Sequence, residues 1–221
     1  MEPVLAGDVL WVDLGSEHRC LASTVLGGGL GAVRTWVNLQ VPSDYARTDP
    51  GAHLEELTAG LAGPVVGMLT AASVERFQDG IAGTARAFAT VGLGYPVAAA
   101  GSSLPQGDPG LRTAVQAPRQ GTINIFAVTQ APLTDAGLVG AVQTAVEAKV
   151  QALAEAGVVA RNGRGRATGT ASDAIAIACL PGASVAFAGT ATEVGHDLAR
   201  AVWDAVSRGC RSYMDGVRHG G

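Results

Sequence analysis

Apolar residues are concentrated between positions 121 and 157, where their spacing predicts a buried strand followed by a long amphipathic helix. Residues 123–128 are mostly β-branched or aromatic, which favours a strand. Thr134 is a good helix N-cap, and Asp135 places a negative charge in the first turn, where the helix dipole favours it. Gly157 can adopt the left-handed conformation that ends many helices. We therefore expect this strand and this helix to form the centre of the fold.

One residue on the predicted helix interrupts its amphipathic pattern. At about 100° per residue, Lys149 falls about 20° from Leu138, inside the apolar stripe that Val142, Val146 and Leu153 complete. Lys149 is the only lysine of the chain, which has fourteen arginines. Its stem can lie along the core edge with the ammonium in water, or the ammonium can point into a pocket between helix and sheet. We adopt the second interpretation, in which Lys149 is functional and its replacement by methionine lowers turnover without preventing folding.

Shorter apolar segments on both sides of this centre predict further strands, which outnumber the helices. The predicted strands are residues 9–14, 20–26, 32–41, 65–70, 82–91, 174–179 and 185–188. A glycine run follows the second of them, at Gly27, Gly28, Gly29 and Gly31. Such a run indicates a turn with positive φ or, alternatively, a backbone contact to a ligand. The pattern predicts an α+β fold: a single domain with a mixed, largely antiparallel β-sheet covered by two or three α-helices.

Two more helices and one long loop complete the pattern. Residues 49–61 carry leucines at helical spacing, and a final helix is predicted after a capping box formed by Thr190 and Glu193. The apolar face of that final helix comprises Val194, Leu198, Val202 and Val206. We expect the chain to fray after Cys210, with a flexible tail at about residues 212–221. Residues 92–120 contain four prolines and no periodic pattern, which favours a functional loop or lid.

Composition and charge exclude several classes of protein. The chain has 221 residues, a net charge of −4 and dispersed arginines, which argues against nucleic-acid binding. No apolar run approaches the roughly 20 residues that span a bilayer, and the sequence MEPVLAGDVLWVD does not have the pattern of a signal peptide. Cys20, Cys179 and Cys210 form no CxxC motif, which is typical of reduced thiols. We expect a cytoplasmic protein with a small-molecule partner, no nucleic acid and no membrane; a homo-oligomer stays open.

The spacing of the candidate metal ligands and nucleophiles gives no known signature. The histidines His18, His53, His196 and His219 form no HxH or HExxH motif, so we expect no metal site and no required cofactor. No GxSxG motif is present, and a Ser–His–Asp triad cannot be assembled from spacing alone.

Hydroxyl and amide side chains, in contrast, cluster beside the ends of predicted strands. They are Ser23, Asn38, Thr70, Ser73, Thr122, Asn124, Thr168, Thr170 and Ser172. Asp173 directly precedes a buried strand, where a carboxylate is costly unless it is paired. An ion pair with Lys149 would compensate the burial of the Asp173 carboxylate. Glu147 is the other carboxylate that could pair with this lysine. Glu147 falls about 180° from Leu138 on the helix, so a surface position is equally open for it.

Seven segments of the chain together carry a family resemblance. They are STVLGGGL, WVNLQVP, VGMLTAASVERF, GTINI, VEAK, ATGTASDA and AGTATEVG, in this order. With these segments the sequence resembles the adenosylcobinamide amidohydrolase family of cobamide salvage and cobalamin biosynthesis, over roughly residues 9–206. The resemblance implies hydrolysis of the amide that joins aminopropanol to the corrin side chain. Adenosylcobinamide would give adenosylcobyric acid and aminopropanol, so the corrinoid is the substrate and not a cofactor.

Amide hydrolysis requires an activated water, a polarised carbonyl and a proton for the leaving amine. For the implied reaction we expect Asp173 or Glu147 to activate water, and Lys149 with Asn38 or Asn124 to stabilise the oxyanion. Small polar groups suit the amide fringe of a corrin ring. The expected binding residues are Ser23, Gly28, Gly29, Thr70, Thr122, Asn124, Thr168, Thr170, Thr192 and His196. A non-catalytic corrinoid-binding protein and an amidase for an unrelated amide are the alternatives.

Overall fold

The computed structural model of the protein describes residues 1–102 and 121–219. Within these ranges the strands are β1 (Pro3–Ala6), β2 (Val9–Ala22), β3 (Gly29–Gln40), β4 (Val65–Thr70), β5 (Gln78–Ala82), β6 (Ala85–Val91), β7 (Pro96–Val97), β8 (Ile123–Thr129), β9 (Gly169–Thr170) and β10 (Ala174–Cys179). The helices are α1 (Pro50–Thr58), α2 (Asp135–Glu155) and α3 (Glu193–His219), with a single 3₁₀ turn at Val74–Arg76. Of the predicted loop or lid at residues 92–120, the part from 103 to 120 lies outside the described residues.

Eight strands form one mixed sheet in the order β4–β3–β2–β10–β8–β6–β5, with β1 paired to β2 beyond the end of β10. The pairs β3–β4 and β8–β10 are parallel, and the other pairs are antiparallel. Strands β7 and β9 form a separate two-stranded ladder. The predicted α+β class, with a mixed and largely antiparallel sheet and three helices, is confirmed.

The sheet curls so strongly that its two halves touch. Trp36 of β3 stacks on Phe126 of β8 with ring centroids 5.1 Å apart, and on Phe88 of β6 at 6.2 Å. In a flat sheet β3 and β8 would lie three strand spacings, about 14 Å, apart. The opposite face of β6, β8 and β10 packs against α2 and α3. Helix α3 approaches β5 closely because Gly80 has no side chain: a Cβ there would lie 2.1 Å from the Ala201 carbonyl oxygen.

Helix α2 follows the sequence prediction at both ends but not along its face. The Thr134 hydroxyl accepts a hydrogen bond from the Gly137 N–H at 3.1 Å, and Gly157 has a φ of 75° after the last turn. The buried stripe, however, is built mainly from alanines, which allow α2 to approach α3 and the sheet closely. Val146, predicted to be in the apolar stripe, lies outside the buried stripe and is exposed.

Two predicted strands, residues 9–14 and 20–26, are wrong as separate elements, because β2 runs continuously from Val9 to Ala22. Gly15 was expected to end the first strand. Instead it adopts a φ of 77° within an irregular stretch between Asp13 and His18, and its N–H donates to Asp13 Oδ1 at 2.7 Å. A glycine in positive φ can thus produce a bulge inside a strand as easily as a turn between two strands.

The prediction at residues 82–91 is also incomplete, because two antiparallel strands, β5 and β6, meet in a tight hairpin there. Residues 185–188 do not form a strand: Val185 makes only an isolated bridge to Leu133. The glycine run after β2 is a turn, as predicted, with Gly27 and Gly29 at φ values of 65° and 90°.

Helix α3 departs from its prediction at both ends. Thr192 is the N-cap instead of Thr190, because its hydroxyl accepts a hydrogen bond from the Gly195 N–H at 3.1 Å. The helix does not fray after Cys210 but continues to His219. Tyr213 and Met214 extend the helix because they pack against the same core as the earlier apolar residues.

The three cysteines are buried free thiols, as predicted. Burial raises the pKa of Cys20 to about 12, above the ordinary value of about 8.5. From about pH 8.5 upward the thiol ionises in the unfolded chain but stays protonated in the folded chain. The free energy of unfolding therefore falls as the pH rises. Between about pH 7.5 and about pH 10.5, urea unfolding should show roughly 3 kcal/mol more loss in the free energy of unfolding for the unsubstituted protein than for Cys20→Ala. Equal losses for the two proteins would contradict this expectation.

Candidate active site

Lys149 of α2 and Asp173, directly before β10, form a buried ion pair. The Lys149 Nζ lies 2.5 Å from Asp173 Oδ2, and the two side chains are only 8% and 11% exposed. Lys149 reaches this position because it lies on the buried face of α2, between Ala148 and Ala152. The pairing of these two residues that the sequence suggested is confirmed.

The Asp173 carboxylate is occupied by four donor groups, and we refer to this arrangement as the Asp173 cluster. The donors are the Lys149 ammonium, the Ile123 N–H at 3.1 Å, the Thr170 N–H at 3.1 Å and the Thr170 hydroxyl at 2.5 Å. Gly169 packs against the pair, since a Cβ there would lie 2.3 Å from Asp173 Oδ2 and 2.9 Å from Lys149 Nζ. The cluster joins α2, β8 and β9, and each oxygen of its carboxylate already accepts from at least two donor groups of the described residues.

Two hydroxyls extend the Asp173 cluster to the start of β8. Thr122 Oγ1 lies 3.0 Å from Ser172 Oγ, and the Ser172 hydroxyl also donates to the Gly121 carbonyl at 3.4 Å. Gly121 has a φ of 142°, and a Cβ on it would lie 2.7 Å from the Tyr95 nitrogen. The cluster therefore fixes residues 121–123, where the chain passes closely by the segment that follows β6.

A second polar network lies inside the curled sheet. The Asn38 amide donates to Thr90 Oγ1 at 2.9 Å, and the Asn124 amide donates to Asn38 Oδ1 at 2.8 Å and to the Leu69 carbonyl at 2.9 Å. The side chains of Asn38, Thr90 and Asn124 are fully buried. They join β3, β4, β6 and β8, so the network stabilises the contact between the two halves of the sheet.

An open cavity of about 470 Å³ lies between the loop after β4, the segment after β6 and residues 209–213 of α3. Its lining residues are Ser43, Ala71, Ala72, Ser73, Glu75, Arg76, Val91, Gly92, Gly94, Gly121, Gly209, Ser212 and Tyr213. The loop is fixed by two hydrogen bonds: Ala72 N–H donates to Thr70 Oγ1 at 3.0 Å, and Val74 N–H donates to Gln40 Oε1 at 2.9 Å. Gly121 places one wall of the cavity beside the Asp173 cluster.

Among the described residues that line this cavity, Glu75 and Arg76 are the only charged ones. Both side chains are exposed. The Arg76 guanidinium crosses to α3, where a Cβ on Gly216 would lie 2.0 Å from its Nη1. Sequence reasoning missed both residues although they stand in the segment VGMLTAASVERF, because neither has a periodic or pairing signature. The one available signal was their position in a segment that carries the family resemblance.

The other predicted site residues do not gather at one place. Glu147 is exposed on the outer face of α2. Ser23 joins β2 to β10, its hydroxyl accepting from the Ile175 N–H at 3.1 Å. Thr168 Oγ1 accepts from the Ala99 N–H at 2.8 Å. Gly28 and Gly29 form the β2–β3 turn, and Thr192 and the exposed His196 lie at the start of α3.

Metal-binding clusters and membrane-spanning helices are both absent from the described residues. No group of three or more His, Cys, Asp and Glu residues that could hold a metal ion occurs in the described ranges. No helix within the part of the chain covered by the structure is long and apolar enough to cross a bilayer.

A curled α+β sheet with an open cavity at its strand ends, lined by both polar and apolar residues, is the kind of architecture in which small-molecule sites occur. Comparison with known proteins makes the assignment specific. The family model for adenosylcobinamide amidohydrolase (CbiZ) matches residues 3–217, so the chain belongs to the adenosylcobinamide amidohydrolase family.

Two curated relatives carry the same description. The adenosylcobinamide amidohydrolase of Halobacterium salinarum is 34% identical over 198 residues, which cover 85% of this chain and 78% of the relative. The adenosylcobinamide amidohydrolase of Methanosarcina mazei is 29% identical over 199 residues, which cover 85% of this chain and 88% of the relative. The family resemblance seen in the sequence segments is thereby confirmed.

Proposed function

We infer that this protein is an amidohydrolase that cleaves the aminopropanol amide of adenosylcobinamide, giving adenosylcobyric acid and aminopropanol. The observation that carries this conclusion is the family match over residues 3–217. The bond cleaved is a linear, non-peptide amide, and the corrinoid is the substrate of the reaction. This activity would serve cobamide salvage, because the acid product can be rebuilt into a different cobamide.

The cavity supports this function by its size and its lining. A volume of about 470 Å³ lies in the range of about 300–1,000 Å³ that holds drug-sized ligands. A corrin macrocycle with its adenosyl group is larger than that, so we assign the cavity to the arm that carries the scissile amide. The ring would then rest at the cavity mouth. The serines and glycines of the lining suit an amide-bearing arm, because hydroxyls can pair with its amide and glycines leave room for it.

We further infer that the reaction needs no protein-bound metal. The inference rests on the histidine spacing, because none of the four histidines stands in a known metal-binding motif. Amide hydrolysis can proceed without a metal where an enzyme supplies a base and groups that stabilise the oxyanion.

The test is product analysis with adenosylcobinamide as the substrate. The purified protein, with and without EDTA, should release aminopropanol and an equal amount of adenosylcobyric acid, both detected by mass spectrometry. Tight corrinoid binding with no acid product, even with divalent metals supplied, would establish the alternative of a binding protein. Activity that EDTA removes and one divalent ion restores would refute only the metal-free part of the inference.

A further inference from the structure

We propose that Glu75 is the catalytic base that activates water, in place of the carboxylates at positions 173 and 147. This proposal rests on the proposed amidohydrolase function and assigns a residue to its central step. Glu75 lines the cavity to which we assign the amide arm. Among the described residues that line the cavity it is the only carboxylate, and so the only one of them that can accept a proton from water as a carboxylate base.

The bonding state of Glu75 suits this role, and that of Asp173 does not. Within the described part of the chain, the Glu75 carboxylate has no hydrogen-bond or ion-pair partner. No donor among the described residues occupies either of its oxygens, so each can accept a hydrogen bond from a water. Asp173 already accepts from four donor groups and is buried. A base must lie within hydrogen-bond reach of the proton that it removes, and Asp173 does not line the cavity.

The backbone that carries Glu75 is held firmly. Residue 75 is the middle of the 3₁₀ turn Val74–Arg76, which is closed by the Phe77 N–H donating to the Val74 carbonyl at 3.2 Å. Val74 itself is fully buried and donates its N–H to Gln40 Oε1. A side chain on a rigid turn is well suited to catalysis because its position relative to the substrate is set before binding.

Arg76 supplies the complementary charge in the same cavity. Its guanidinium has no ion-pair partner within the described ranges and lies across Gly216 of α3. A free guanidinium beside a carbonyl polarises it and stabilises the negative charge that develops on its oxygen. The cavity thus contains both a group to accept a proton and a group to stabilise an oxyanion.

The chemical step balances with these two residues and one water. The water oxygen attacks the amide carbon while its proton passes to the Glu75 carboxylate, and the carbonyl oxygen becomes an oxyanion beside Arg76. The C–N bond then breaks, and the glutamic acid returns the proton to the departing nitrogen. The products are the corrinoid carboxylic acid and aminopropanol, and Glu75 regains its starting state.

The test compares Glu75→Gln with Glu75→Asp, Glu147→Gln and, as a surface control, Glu17→Gln in the exposed irregular stretch of β2. For Glu75→Gln we expect kcat to fall by about 10²–10⁴-fold, the range of general acid–base catalysis, while the Kd for adenosylcobinamide stays within about threefold. In Glu75→Gln, the fall of kcat/KM toward low pH should disappear. Glu75→Asp should recover part of the rate. Melting temperatures confirm folding, and the aspartate variant keeps the test decisive if the glutamine variant does not fold.

The two inferences fail in different ways. If the unsubstituted protein releases aminopropanol and Glu75→Gln does so within about fivefold of the same rate, then Glu75 is not the base. A large loss of kcat in Glu147→Gln, with Glu75→Gln active, would return the role to Glu147. If the unsubstituted protein releases no aminopropanol, the proposed function itself is wrong.

Discussion

Replacing Lys149 with methionine is expected to lower the free energy of unfolding by about 3–5 kcal/mol, the range for removing one partner of a buried ion pair. The Asp173 carboxylate would remain at its buried position with three hydrogen-bond donor groups but no counter-charge. The sequence alone suggested that folding would survive this change. The structure reverses that expectation because it shows how deeply Asp173 is buried and how completely Lys149 neutralises it.

The measurement is urea unfolding of Lys149→Met, Asp173→Asn and the double variant. Because asparagine carries no charge, the double variant should recover part of the free energy of unfolding that Lys149→Met loses. The three variants form a double-mutant cycle, which gives the coupling free energy between residues 149 and 173. Glu147→Gln, on the exposed face of the same helix, is the matched control and should change stability by less than about 0.5 kcal/mol. A methionine variant as stable as the unsubstituted protein would show that the pair does not hold the fold. The predicted catalytic role of Lys149 would then have to be tested by kinetics.

Filling the cavity is expected to lower turnover strongly. Ser212 lies on the face of α3 that lines the cavity, and a tryptophan there would occupy the space that we assign to the amide arm. For Ser212→Trp we expect kcat/KM for adenosylcobinamide to fall by about 10²-fold or more, equivalent to about 2.7 kcal/mol of transition-state stabilisation. The melting temperature should change little, because the side chain lies in an open space and not in the packed core.

Arg211→Trp is the control for this prediction. Arg211 is the preceding residue of α3, is exposed and does not line the cavity, so its variant has the same added bulk in the same helix. It should keep nearly unchanged kinetics. If both variants are active, the substrate does not use this cavity; if both are inactive, the loss arises from α3 itself.

Features with a local cause could be predicted from the sequence. The ends of α2 follow from Thr134 and Gly157, whose capping roles depend only on their neighbours in the chain. The pairing of Lys149 with Asp173 could also be suggested, because each is costly to bury without the other. The distribution of strands between the two halves of the sheet could not be predicted, since it depends on contacts between distant residues.

The candidate site also depends on contacts between distant residues, which the sequence does not reveal. Glu75 and Arg76 are ordinary exposed residues by any local criterion, and only the approach of α3 to the loop after β4 makes them cavity residues. Asn38 and Asn124 were expected to stabilise an oxyanion, but curling of the sheet buries both and directs their amides toward each other. Burial of this kind depends on the tertiary structure, which hydrophobic periodicity does not reveal.

The central position of β10 also bears on how the chain reaches its native state. Strand β10 lies between β2 and β8, and its Ile177 pairs with Leu21, so most of the chain separates the two partners. A sheet completed by such a distant pair has a high contact order, and topologies of this kind fold slowly because a long loop must close before its contacts stabilise it. Asp173 stands directly before β10. Lys149 and Asp173 both belong to the β8–α2–β10 unit, so the ion pair joins segments that are near in the chain and its formation does not depend on the distant pairing with β2.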